Sequence, residues 1–354
     1  MGDVLDAIRE IHDDPVRCAE IAGLHYVRTG ERGIRRRRHG RGFTYRDHRG
    51  RAVRPEVTAH IAELAIPPAW TDVWICADPA GHLQATGVDD RGRTQYLYHP
   101  QWREIRDVLN FYRLAVLGER LPTIREHVEA QLRRRTLDRE RVIAVLLRVT
   151  DLAAIRIGTE EYAEENDSFG LTTLTKRHAR LLPGGVQLAF PAKSGRRVRT
   201  VIKDRPVVRA VRELLEQRGR RQLFTAAGQP VTAADVNARL AELTGEHVTA
   251  KDFRTWVGTL AAFRHLRDEV DSTRSLDRVA VEAVDEAAEL LGNTRAVARA
   301  HYVHPHMMSA FTDHRFSDYL DACRVRHDKY LDDDECALLG FLRMLLEREF
   351  DLEV

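Results

Sequence analysis

Arg156, Lys193, Arg254 and Tyr302 lie in four separate stretches and have the types that metal-free attack on a phosphodiester needs. A phenol, pKa about 10, can attack phosphorus and leave again, because the aryl phosphodiester conserves the energy of the broken bond. Fork-shaped, permanently charged guanidinium groups suit the non-bridging oxygens, where charge builds in the transition state. Lysine, able to give up a proton, suits the departing oxygen. Tyr302 follows Asn293 by nine residues in LLGNTRAVARAHYVHP, residues 290–305. On one straight helix that spacing would set the two side chains about half a turn apart. A tyrosine on a helix is most often packing or surface, so the elements around it must carry the reading.

Val281, Val284, Ala288 and Leu291 recur at helical spacing, and Gly292-Asn293 then stops that helix. Asn293 or Thr294 can cap a second helix carrying Tyr302, and the break lets Asn293 and Tyr302 face one centre. Thr249 to Asp252 has capping-box spacing, which predicts a helix from FRTWVGTLAAFRH with Arg254 in its first turn, where an anion is favoured. DLAAIRIGTEEY, 151–162, reads as continued helix up to a break at 166–170. The following stretch, to Asp204, alternates as three strands with turns at 183–185 and 193–195, placing Lys193 on a hairpin tip.

Residues 1–22 read as a short helix. From Leu24 to Arg51 arginines crowd together, Arg35 to Arg38 in one run, with Phe43 and Tyr45 interleaved and a turn at Asp47 to Gly50. Such a run is commonly a solvated face or a localisation tag, and aromatics on a strand pattern favour instead an ordered phosphate-binding surface. A helix over 56–65 precedes strands in 73–100, whose last segment carries Gln95, Tyr96 and Tyr98. Those side chains can meet base edges or phosphates, or equally pack across strands. Helices prevail beyond Trp102. The expected divisions are an N-terminal β-rich DNA-binding domain over 1–106, a helical catalytic domain over 107–320 and a helical tail over 321–354.

The 354 residues are 43% hydrophobic and 31% charged, with a net charge of +2. No apolar run approaches the ~20 residues that span a bilayer, so no membrane association is expected. Cys18, Cys76, Cys323 and Cys336 lack C-x-x-C spacing, which fits a reduced cytoplasm and not a zinc site. Asp332 to Glu335 could be read as a Mg²⁺ cluster, and His301, His304, His306 and His314 as another. A helix cap and polar packing are the commoner meanings. His178, after Arg177, is a phosphate contact or a structural histidine.

Taken in order, several motifs resemble the bacterial and poxvirus type IB DNA topoisomerases. They are RRRRHGRGFTYRD (35–47), IPPAW with VWIC (66–76), GRTQYLYH (92–99), RIGTEEYAEENDSFGLTTL (156–174), FPAKSG (190–195), TAKDFRTW (249–256) and LGNTRAVARAHYVHP (291–305). The resemblance runs from about Leu24 to His306. It implies an α+β fold: a small β-rich N-terminal domain and a larger, mainly helical catalytic domain with a small β-meander, closing on duplex DNA as a C-shaped clamp. It makes Tyr302 the nucleophile of a 3′-phosphotyrosyl link, Arg156 and Arg254 the clamps on the phosphate, and Lys193 the general acid. Asn293 stands where poxvirus enzymes have histidine; its amide can donate a hydrogen bond but carries no charge. Gln95, Tyr96, Tyr98 and Tyr162 match DNA-contacting positions, and Arg41, Tyr45, Arg177 and His178 are further candidate contacts. The implied activity is relaxation of both signs of supercoil, with no cofactor, no ATP and no obligatory metal. The expected partner is double-stranded DNA, met by a cytoplasmic, nucleoid-associated monomer.

A tyrosine recombinase or integrase would share the Arg–Lys–Arg–Tyr chemistry. Recombinases usually carry His-x-x-Arg at the second arginine, whereas this chain has Lys251-Asp252-Phe253-Arg254. A DNA-binding clamp without catalysis is the remaining alternative, hinted at only by Asn293.

Overall fold

Alternation through the arginine-rich stretch builds one edge of an antiparallel sheet. In the computed structural model, which describes residues 14–30, 32–160, 168–219 and 221–349, five strands follow a short helix α1 (Pro15–Ile21). They are β1 (Ile34–His39), β2 (Gly42–Arg46), β3 (Thr71–Ile75), β4 (Leu83–Val88) and β5 (Thr94–Tyr98), in spatial order β2-β1-β3-β4-β5. Ile34, Ile75 and Ala85 face a core completed by Ile61 of helix α2 (Pro55–Glu63). Pairing runs Arg46–Arg35–Trp74–Thr86–Tyr96 across the sheet, so these residues share the opposite face. The arginine run therefore splits by parity. Arg35 and Arg37 are exposed on the Tyr96 face. Arg36 turns toward the core side, donates to the carbonyls of Trp70 (2.6 Å) and Pro67 (3.0 Å), and lies over Phe43.

The β1–β2 hairpin turns at Gly40-Arg41, where Gly40 takes φ +57°. The turn expected at Asp47 to Gly50 also forms, with the Asp47 carboxylate accepting from the N–H groups of Arg49 and Arg51 at 2.8 Å. It closes only an isolated bridge, Arg46 to Ala52.

Helix α3 (Pro100–Arg133) follows, and the chain divides within it into two compact units, Met1–Tyr112 and Arg113–Val354. The second unit contains α4 (Arg139–Ala153), a meander of β6 (Ala179–Leu182), β7 (Gly185–Pro191) and β8 (Arg197–Ile202), then α5 (Arg205–Glu216), a small strand pair and α6 (Ala233–Thr244). After these come α7 (Ala250–Asp268), α8 (Leu276–Leu290), α9 (Arg295–His301), α10 (Pro305–Thr312), α11 (Phe316–Ala322) and α12 (Asp333–Glu349). Of the 19 residues of α7, 13 are buried, which makes it the central helix. The stretch 321–354, set apart above as a tail, falls in this second unit, and α12 packs on α7 and α11. This α+β architecture, a β-sheet unit followed by a mainly helical one, is the fold class expected from the sequence.

The helix expected through 151–162 ends instead at Ala153. Ala154 adopts the left-handed conformation (φ 47°, ψ 32°) and its N–H returns to the Thr150 carbonyl. Beyond it the backbone leaves the helix to pair with 171–172: Leu171 N–H donates to the Arg156 carbonyl (2.8 Å) and Thr172 N–H to that of Ile157 (2.9 Å). Gly158 and Gly170 make this possible, since a Cβ on Gly170 would lie 2.3 Å from the Gly158 Cα. Among the described residues no helix is long and apolar enough to cross a membrane.

Candidate active site

The capping box predicted for α7 is present: the Asp252 carboxylate accepts from the N–H and hydroxyl of Thr249 (2.7 and 2.8 Å). Arg254 lies just past the first turn and is 4% exposed. Its Nη1 donates to the Ala154 carbonyl, at the end of α4, and its Nη2 to the Leu291 carbonyl, at the end of α8 (3.0 Å). A cation is favoured at such helix C-termini. Those partners are dipoles and not counter-ions, and its buried Nε has no hydrogen-bond partner. Burial, and next the charge of Arg156, push this guanidinium below its ordinary pKa, partly opposed by Tyr302.

Thr294 caps α9 through its hydroxyl, which accepts from the Val297 N–H, and Tyr302 terminates that helix at its C-cap. The Tyr302 carbonyl accepts from the Thr259 hydroxyl at 3.2 Å. A Cβ on Gly258 would lie 2.6 Å from that carbonyl oxygen, so the absent side chain allows α7 to approach. The phenol packs with Ala154 and Leu291 and is 9% exposed. Arg254 Cζ stands 5.0 Å from the ring centroid. Burial raises the phenol pKa, but Arg254, with Arg156 and Lys251 behind it, more than reverses this, and the net direction is downward.

Arg156 donates from Nη2 to the Asn293 Oδ1 at 2.7 Å, while the buried Asn293 Nδ2 has no partner. Lys193 opens the one-turn 3₁₀ segment Lys193–Gly195 at the β7–β8 tip, which the Ala192 N–H closes onto the Arg196 carbonyl (2.6 Å). Arg156, Lys193, Lys251, Arg254 and Tyr302 all line one cavity of about 280 Å³, and no carboxylate lines it among the described residues. Asn293 joins this group through Arg156. Lys251 is the cation that sequence reading left without a role, although the capping box places it in the first turn of α7 facing any anion bound there.

The candidate DNA contacts scatter more. Tyr96 is half exposed and stacked on Tyr98 (6.1 Å between centroids) along edge strand β5. Gln95 falls on the other face, with its amide donating to Asp89 (2.9 Å). Tyr45 also turns that way and packs against the core, because pairing with Arg36 fixes its side. Arg41 is exposed at the hairpin tip, and Arg177 is exposed beside the Phe169 ring (5.9 Å to the centroid). His178 is buried, accepts from the Thr175 N–H at Nδ1 (3.1 Å), has the Arg177 Nε 3.2 Å from its Nε2, and meets Phe169 edge-on. Tyr162 lies outside the described residues. The Asp332 to Glu335 run caps α12, and its Asp332, Asp334 and Glu335 carboxylates are taken by arginines.

Residues 99–321 match the family model described as eukaryotic DNA topoisomerase I, catalytic core, and residues 42–89 that described as bacterial DNA topoisomerase IB, N-terminal domain. The chain belongs to the type IB DNA topoisomerases. It is 28% identical over 312 residues to DNA topoisomerase 1B of Acanthamoeba polyphaga mimivirus, covering 82% of this chain and 92% of that one. DNA topoisomerase 1B of vaccinia virus (strain Copenhagen) is 27% identical over 145 residues, 39% of this chain and 44% of the viral one. A solved structure of the XerH site-specific recombinase bound to a palindromic difH substrate shares 16% identity and a TM-score of 0.34, over 54% of this chain and 51% of that one. As a type IB topoisomerase the chain is an enzyme and a DNA-binding protein. Both family matches overlap the elements described above: the first spans Arg156, Lys193, Arg254, Asn293 and Tyr302, the second β2 to β4.

Proposed function

We propose that this topoisomerase relaxes positive and negative supercoils by transient cleavage of one strand of duplex DNA. In this reading the Tyr302 phenol oxygen attacks the scissile phosphorus and loses its proton to solvent. The phosphorus–O5′ bond breaks, Lys193 protonates the departing oxygen, and a 3′-phosphotyrosyl link and a 5′-hydroxyl result. Arg156 and Arg254 hold the non-bridging oxygens, and the Asn293 amide serves both Arg156 and the phosphate. The free end rotates about the intact strand, and the reverse reaction reseals it. Neither ATP nor an obligatory metal is needed, because the covalent link conserves the bond energy and fixed cations balance the transition-state charge. A monomer suffices for these steps. The observation that carries the reading is a buried tyrosine and four cations around one cavity without a carboxylate among its described lining residues.

Plasmids of each supercoil sign, incubated in EDTA without ATP beside Tyr302→Phe, test it. Relaxation of both signs by the native chain, lost in the variant, is the expected result. Cleavage confined to one DNA sequence without relaxation would instead favour the recombinase reading, and DNA binding without cleavage an inactive clamp.

A further inference from the structure

Outside the cavity, one side chain ties together the elements that hold it. Arg125, on α3, uses every N–H donor of its guanidinium. Nε and Nη2 grip the Asp151 carboxylate at 2.9 Å each, Nη1 and Nη2 grip Glu335 at 2.7 Å each, and Nη1 also donates to the Tyr330 carbonyl at 2.6 Å. Asp151 is on the last turn of α4, three residues before Ala154, whose carbonyl holds Arg254, and five before Arg156. Glu335 in turn accepts from the Trp256 Nε1 of α7 at 3.2 Å. Trp256 follows Arg254 by two residues, about 200° around the helix at ~100° per residue. The central helix is thus held from both sides: Arg254 and Gly258 face Tyr302, while Trp256 faces Glu335. Trp256 is seated closely on α3, where a Cβ on Gly118 would lie 2.6 Å from the indole.

The same turn makes further contacts with α7. Arg264 donates to Asp334 and Asp332 at 2.6 Å each, and Arg267 pairs with Asp334. Asp332 and Glu335 also form the reciprocal cap of α12, with Glu335 N–H on Asp332 (2.8 Å) and Asp332 N–H on Glu335 (3.0 Å). Glu335 is 6% exposed, whereas the side chain of Asp333, in the same acidic run, is 94% exposed. All of these acidic residues lie beyond the 99–321 segment that the catalytic-core family covers.

We infer that Glu335, through Arg125 and Trp256, is a positioning residue for Arg254 and Arg156, so that cleavage depends on a segment lying after the family's catalytic core. This rests on the proposed roles of those arginines. Charge-assisted, bidentate contacts of this kind fix geometry as well as adding energy. Without Glu335, Arg125 keeps only Asp151 and the Tyr330 carbonyl, Trp256 loses its acceptor, and α7 can shift relative to the ends of α4 and α8.

The test compares Glu335→Ala, Glu335→Gln and the outward-facing control Asp333→Asn in the full chain. Its readouts are single-turnover formation of the covalent DNA adduct, equilibrium DNA binding, thermal stability and the pH profile of cleavage. Glu335→Ala is expected to slow cleavage about tenfold or more with DNA affinity changed less than about threefold. Because Arg254, Arg156 and Lys251 hold the Tyr302 phenol down, the alkaline-rising limb of the profile should move to higher pH. Glu335→Gln should recover part of both effects, and Asp333→Asn should stay within about twofold of the native rate. Cleavage by Glu335→Ala within twofold of native, or a slower rate that follows thermal stability with the limb unmoved, overturns the inference. Should Glu335→Ala fail to fold, Arg125→Lys is read the same way, with a smaller shift of the limb expected. If the native chain forms no adduct, the proposed function fails separately. The phenol titration, read as the ultraviolet difference between each chain and its Tyr302→Phe counterpart, then decides, and an unmoved titration overturns the brace.

Discussion

Two arginines of the second unit, the half-buried Arg125 and the buried Arg254, are held in opposite ways. Around Arg125 the protein supplies two carboxylates and a carbonyl; burial alone would push its guanidinium down, but Glu335 and Asp151 reverse the direction. Around Arg254 it supplies two helix-end carbonyls, the Tyr302 phenol and a second arginine nearby but, among the described residues, no carboxylate, and the direction stays downward. A buried charge is costly unless it is paired. The first region is therefore complete in itself and acts as structure. The second carries uncompensated positive charge in a preorganised cavity, the condition in which an anionic transition state gains most. The same residue type thus serves as a brace or as a clamp, according to whether the fold provides its anion.

Exchanging each arginine for glutamine tests this contrast most severely. Arg254→Gln keeps a donor for the Ala154 carbonyl and loses the charge, so single-turnover cleavage should fall by about 10²–10³-fold or more. Arg125→Gln strands two buried carboxylates and should cost roughly 3–5 kcal/mol in urea unfolding. Equal stability losses for the two variants, or unimpaired cleavage by Arg254→Gln, would remove the distinction.

The contrast also sets a pH dependence. A lowered Tyr302 pKa means more phenolate at a given pH, so the limb of cleavage that rises with pH should end below about pH 10, the ordinary tyrosine value. Cleavage rates across that range should show the limb moving upward in Arg254→Gln, since its largest favourable charge is gone. A limb at the same pH in both chains contradicts the assignment.

Two residues beyond Tyr302, the buried His304 stands at the N-cap position of α10, and burial lowers its pKa to about 3. The folded state keeps this ring neutral, whereas the unfolded chain protonates it near pH 6.5. Its contribution is therefore complete above about pH 6.5 and is lost as pH falls toward about 3, at ~1.4 kcal/mol per pH unit. Urea unfolding of His304→Gln should show a flatter acid limb than the native chain, and parallel limbs would contradict it.

The smallest effects belong to the sheet unit, where Arg36 is half-buried between the exposed Arg35 and Arg37 of β1. Arg37→Ala should weaken DNA binding and lower the slope of log affinity against log salt by about 1. Arg36→Ala should leave that slope alone and lower stability through its lost carbonyl contacts. Filter-binding titrations from about 50 to 200 mM salt separate the two, and equal slopes for both variants would show that strand parity does not matter.

What could be read from sequence follows from range. The cations and the tyrosine stood out because their chemistry belongs to residue type, and helix and hairpin signals placed Lys193, Arg254 and Tyr302 locally, but not Arg156, which lies past the end of its expected helix. The break after Ala153 could not be read, since alanine is the best helix former and the cause is backbone pairing with residues 171–172. The β1–β2 turn was missed because Asp47 to Gly50 carries the stronger local turn chemistry. The face that Gln95 and Tyr45 take, opposite to Tyr96, could not be read from type or spacing because strand register alone decides it. The Arg125 brace joins positions 210 residues apart, beyond the reach of any local pattern.

The most direct measurement of the central claim uses a nicked duplex that releases its short 5′ strand on cleavage and so traps the adduct. After protease digestion, mass spectrometry should find the nucleotide on the peptide containing Tyr302, joined through the 3′ phosphate, and nothing should form with Tyr302→Phe. A link to another residue, a link through the 5′ phosphate, or an adduct that survives Tyr302→Phe would contradict the account.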